Sequence, residues 1–182
     1  MNSDISVKRY HPALAALHWL IAVTIMAPLV FGALDLANMP SAAPMKIGGL
    51  RVHMSVGALV GLLMLVRVFV RTGTRHPTPA TTGSPVLDRV AWASHRLLYI
   101  AAFGQVASGL LLAWQADLPA IVFWGYGSLP PDFWVFPVRA AHYVFSRLLM
   151  MLIGLHVLGA AYHTFIRRDG LLGRMLFGRR VR

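Results

Sequence analysis

Four runs of apolar residues divide this chain: Ala13 to Leu34, Leu50 to Val70, Val90 to Trp114 and Val138 to Phe165. Each is close to the roughly 20 residues that a helix needs to cross a bilayer. The pattern therefore predicts an all-α integral membrane four-helix bundle, a single domain over residues 1–182 with no separate soluble module. The first run is uncharged throughout and no small-residue cleavage site with a polar mature domain follows it, so it reads as a retained span. Pro28 is expected to kink it. Pro, Gly and Asn punctuate the connections. The third connection, Leu118 to Pro137, carries Trp124, Tyr126, Phe133, Trp134 and Phe136. Such side chains suit the lipid–water boundary, and the segment is expected to lie along the membrane surface.

Charge adds orientation. Of the 17 Lys and Arg, 13 fall on one side: Lys8 and Arg9, then Arg67, Arg71, Arg75, Arg89 and Arg96, then the six from Arg167 to Arg182. Lys46, Arg51, Arg139 and Arg147 fall on the other. The excess predicts that both termini are cytoplasmic. The net charge of +11 does not read as nucleic-acid binding, because the basic residues are spaced by apolar blocks rather than gathered on a polar face.

Composition narrows the chemistry. There are no cysteines, which excludes disulfides, iron–sulfur clusters and thioether-attached haem. Acids are scarce, six Asp and no Glu, against eight His. Topology gives those histidines depths. His18 sits just inside the cytoplasmic start of the first helix and His95 near the cytoplasmic start of the third. His53 lies near the outer start of the second. On the fourth helix His142 is near the outer face and His156 is 14 residues further in. That separation is about 21 Å, and at about 100° per residue both rings share one face.

One pair of histidines near each membrane surface is what two six-coordinate haems require, each iron taking axial nitrogens from two helices. Depth pairs His53 with His142 outside and His18 with His156 inside. Gly57 and Gly61 after His53, and Gly154 and Gly159 around His156, leave room for a flat macrocycle, although glycines at this spacing also serve helix packing. The competing reading makes the histidines interhelical hydrogen-bond partners; four of them at paired depths favour haem. Zinc needs three or four ligands, more than one depth offers unless His95 joins the inner pair.

Ala16-Leu-His18-Trp19, Arg51-Val-His53 with Gly57, Ser94-His95 with Tyr99, and His142-x13-His156 followed by His163 resemble the bacterial cytochrome b561 family over about residues 8–178. The best-understood members are superoxide:ubiquinone oxidoreductases of the bacterial inner membrane. Cytochrome b subunits of hydrogenases and formate dehydrogenases share the four-helix plan. The resemblance implies two b haems held by residues matching His18, His53, His142 and His156, the same four that depth selects. It further implies superoxide oxidation at the outer haem and reduction of ubiquinone. Arg147 departs from the pattern. It lies about 140° around the helix from His142, and reads either as a snorkelling side chain or as a propionate anchor or part of a charged access channel.

Bis-histidine ligation leaves iron no open position, so outer-sphere electron transfer is the expected chemistry. Lys46, Arg51 and Arg139 near the outer pair are candidates to steer superoxide, or to bind propionates or lipid headgroups. His95 and His163 toward the cytoplasm are candidates for a quinone site, with Ser94, Arg75 and Arg96 nearby; wet interfacial histidines are the plain alternative. Two other readings stay open: a membrane anchor passing electrons between the quinone pool and a partner dehydrogenase, hydrogenase or c-type cytochrome, and a scaffold whose histidines only pack.

Overall fold

A computed structural model describes residues 7–176 and 178. Arg179, Arg180 and Arg182, counted above toward orientation, lie outside the described residues, as do the two ends of the 1–182 domain. Four helices carry the fold: α1 Pro12–Phe31, α2 Lys46–Thr72, α3 Pro85–Gln115 and α4 Pro137–Ala161. Among the described residues there is no strand. The helical spans, including the π-helical turns that extend α1 and α4, are Pro12–Leu36, Lys46–Thr72, Pro85–Gln115 and Pro137–Arg167, all long and apolar enough to cross a membrane. They outrun the apolar blocks because polar end turns, invisible to hydropathy, continue the same helices.

Local chemistry sets the starts. Pro12, Pro85 and Pro137 open their helices, where a missing N–H costs nothing. His11 Nδ1 accepts from Ala13 N at 3.2 Å to cap α1. Ahead of α3, Asp88 in the first turn accepts from Thr82 N at 2.7 Å and Thr82 Oγ1 at 2.8 Å. This is also where a carboxylate complements the helix dipole. α1 runs through Pro28 and widens into a π-helical turn over Gly32–Leu36; α4 does the same over Tyr162–Arg167 and ends at Arg168 with a left-handed φ of 52°.

α1 packs along α2 and α3 along α4. The central core joins all four through Ile21, Leu29, Val60, Met64, Ala101, Ala102, Leu149 and Leu152. Close approach needs glycine at two places. A Cβ at Gly61 would meet Val106 Cγ1 at 2.8 Å, and one at Gly104 would meet the Phe145 ring at 2.5 Å. Gly61 therefore serves α2–α3 packing. The outward faces are apolar, with Val23 74% and Phe69 73% exposed, as a lipid-facing surface requires.

We call the end where α1 starts and α4 finishes proximal, and the other distal. The connection after α3 departs from the expectation that it lies flat on the surface. Leu118 and Val122 insert into a second core with Leu36, Leu50 and Ala113, closing the distal end, while Trp124, Tyr126 and Trp134 point outward. The apolar residues of this segment divide between bundle and boundary, a choice that composition alone does not make.

Candidate functional site

At the distal end His53 of α2 faces His142 of α4, ring centroids 6.1 Å apart and planes at 76°. At the proximal end His18 of α1 faces His156 of α4 at 6.0 Å and 72°. Two imidazoles ligating one metal from opposite sides, each nitrogen about 2 Å from it, have centroids roughly 6 Å apart. Both pairs match that spacing.

The distal pair borders a cavity of about 350 Å³ lined by Pro28, Gly32, Gln105, Gly109, Arg139 and Arg147 among others. His53 Nδ1 is buried there with no hydrogen-bond partner among the described residues, and so is Gln105 Oε1. His142 has two neighbours on α3: Ser108 Oγ 3.1 Å from Nδ1 and Gln105 Nε2 3.1 Å from Nε2. A hydroxyl beside one ring nitrogen fixes the orientation of an imidazole whose other nitrogen holds a metal. The glycines that make room are Gly32 and Gly109. A Cβ at Gly32 would stand 2.8 Å from His53 Cε1, and one at Gly109 3.0 Å from His142 Cε1. Gly57, Gly154 and Gly159 have no atom within 4 Å of a built Cβ, whereas Gly61 is taken up by packing. An unpartnered buried nitrogen, a cavity and paired rings at the required spacing fit a bis-histidine haem.

The proximal pair has a third ring beside it. His95 of α3 lies 5.2 Å from His156, and its Nδ1 donates to Ala91 O at 2.6 Å. Among the described residues no three His or Asp side chains converge to hold a metal ion. His95 and His163, expected to share one site, occupy different settings. His163 Nδ1 meets Asp169 Oδ2 at 2.5 Å, with Arg167 Nε 3.6 Å from the same oxygen. The hydrogen bond from His163 holds the Asp169 carboxyl below the usual carboxylate range.

The distal cations also separate. Lys46 is 5% exposed, and its ammonium donates to Leu36 O and Met39 O, both at 2.7 Å, tying down the end of the π-helical turn. Arg51 donates to Val122 O from Nε at 3.0 Å and Nη2 at 2.6 Å, anchoring the inserted connection. Arg139 lines the cavity and stacks on Trp134 at 4.8 Å; Arg147 lines it too, folded over Tyr143 at 4.9 Å. Arg147 therefore reaches the cavity rim from off the histidine stripe, because its long stem turns back along α4.

Arg67, counted among the flanking charges, is 8% exposed inside the proximal half. Its Nη1 donates to Leu14 O at 2.7 Å and its Nε to Tyr99 Oη at 3.0 Å. Sequence reading also passed over Gln105, Ser108 and Gly109. Polar and small residues spaced three and four apart on an otherwise apolar helix, at the depth of His142, were the available signal.

Comparison with known proteins agrees with this architecture. The family described as prokaryotic cytochrome b561 matches residues 9–178. Cytochrome b561 homolog 2 of Escherichia coli K12 is 28% identical over 97% of this chain and 95% of its own length. The probable superoxide oxidase CybB of Yersinia pestis is 24% identical over 93% and 96%. Cytochrome b562 of Cereibacter sphaeroides is 28% identical over 88% and 90%. Four membrane-length helices with paired intramembrane histidines, matched nearly end to end by this family, make the chain a member of the prokaryotic cytochrome b561 family, the haem-b electron-transfer cytochromes of bacterial membranes.

Proposed function

We propose that this cytochrome moves electrons across the membrane from superoxide to ubiquinone, using two b haems held by His53 with His142 and by His18 with His156. The observation that carries the reading is the two facing histidine pairs, 6.1 and 6.0 Å apart, at opposite ends of one bundle. Bound haem would supply one-electron, outer-sphere transfer, its iron having no open position. In balance, two superoxide anions each give up one electron and leave as O2, and one ubiquinone takes two electrons and two protons to become the quinol.

The chain's own residues do the rest. The distal end faces the periplasm, and the termini face the cytoplasm, in keeping with the excess of basic residues there. Arg139 and Arg147 at the cavity rim draw in a small anion. Lys46 and Arg51 add to that field while their hydrogen bonds hold the surrounding backbone. At the proximal end the His163–Asp169 pair is a proton-handling couple for the quinone, while His95 stands apart from it, against His156. The naming of a relative as a probable superoxide oxidase supports the choice of donor.

The test is a dithionite-reduced minus oxidised spectrum of purified protein with pyridine haemochrome per polypeptide, followed by addition of superoxide and a ubiquinone analogue. Two low-spin b haems, reduced by superoxide and reoxidised by the quinone, is the expected result. A colourless protein overturns the reading. Two haems inert to superoxide would instead mark a membrane anchor serving a partner dehydrogenase, hydrogenase or c-type cytochrome.

A further inference from the structure

Arg67 poses a problem of charge. It lies on α2 in the proximal half of the bundle, 8% exposed, and no carboxylate answers it: among the described residues both ion pairs belong to Asp169. A guanidinium inside a membrane bundle needs more than satisfied N–H groups, because neutral acceptors meet its hydrogen-bonding demand and leave its charge uncompensated.

Its two partners locate what the charge acts on. Leu14 O lies one helical turn before His18, and Tyr99 one turn after His95. The side chain thus ties the turn of α1 that carries His18 to the turn of α3 that carries His95. Both rings lie against His156, at 6.0 and 5.2 Å. A fixed positive charge in a low-dielectric setting favours whatever neighbouring state carries one more electron.

We infer that Arg67 is a positioning residue and fixed positive charge for the proximal redox centre, raising its reduction potential by standing near the His18/His156 pair with no protein carboxylate among the described residues to offset it. The inference rests on the haem reading proposed above. It places an electron-attracting charge at the end where electrons leave for the quinone.

Equilibrium redox titration of the haem-loaded protein, following the α-band, tests it. The component that disappears in His18→Ala identifies the proximal centre. In Arg67→Gln the midpoint of that component should fall and that of the other should stay. Arg67→Lys, which keeps the charge, should restore most of the shift. Tyr99→Phe, which keeps the charge and removes one tether, should leave the midpoint near that of the unaltered protein. Where Arg67→Gln does not accumulate, Arg67→Met fills the volume without burying a polar group and should show the same fall. An unmoved proximal midpoint in the neutral variants overturns the inference, and so do equal shifts in Tyr99→Phe and Arg67→Gln, which would make Arg67 a tether only. If the unaltered protein lacks two haem components, the haem reading falls and takes this with it; two components with unmoved midpoints sink this inference alone.

Discussion

His53 and His142 stand ring to ring beside the distal cavity, 6.1 Å between centroids. Replacing either by alanine should remove one haem and spare the other. Pyridine haemochrome should fall to about half per polypeptide, with the remaining spectrum still low-spin. Loss of both, or retention of both, would show that the pairing is wrong.

Gly32 and Gly109 set the positions of those rings. Alanine at Gly32 places a methyl 2.8 Å from His53 Cε1. Overpacking of this kind costs about 1–3 kcal/mol, and here the strain falls on a ring proposed to hold the distal haem. Gly32→Ala should lower distal haem occupancy while leaving the proximal haem in place, read by the same haemochrome assay. Gly104→Ala, aimed at Phe145 at 2.5 Å, should instead lower the melting temperature without selecting between haems.

Lys46 and the rim arginines should separate in kinetics. Arg139→Gln combined with Arg147→Gln should slow superoxide-driven haem reduction on the order of 10-fold and flatten its dependence on ionic strength. Lys46→Met leaves the Leu36 and Met39 carbonyls without their donor, at about 1–3 kcal/mol. Its main effect should appear in thermal stability rather than in the bimolecular rate. Stopped-flow at two salt concentrations and a melting curve distinguish the two.

The carboxyl of Asp169 titrates lower than usual because it accepts a hydrogen bond from His163. A depressed folded-state value means the contact stabilises above the ordinary carboxylate range, near pH 3.9, and that this contribution disappears as pH falls through the lower folded value. Asp169 is exposed, so the effect is small. Melting curves between about pH 3 and 5 should show a steeper acid loss in the unaltered protein than in Asp169→Asn. His163→Ala should keep both haem spectra and slow quinone reduction.

The four spans were legible because hydropathy reports lipid exposure directly, and depth along those spans brought the four paired histidines forward. Three things were not legible. Lys46 and Arg51 look like free charges in sequence, yet each is consumed by carbonyls of segments 7 to 71 residues away, Leu36, Met39 and Val122. Arg67 looks like a flanking charge because it sits near the end of an apolar run; only the neighbouring helices bury it. Gly32 opens the π-helical turn that extends α1 yet faces a ring on α2, a relation that depends on how that turn continues the helix. Each of these is a contact between elements, and periodicity within one element carries no information about it.

Helix α4 is common to both histidine pairs, holding His142 and His156 on one rigid rod. That makes it a gauge between the two faces of the membrane. One residue inserted between the two histidines would turn one ring by about 100° and advance it by about 1.5 Å relative to the other, so that whichever partner remained in register, the second would be out of line. A change of length between the two histidines would therefore break one pairing or the other, a constraint that the connections between helices do not carry.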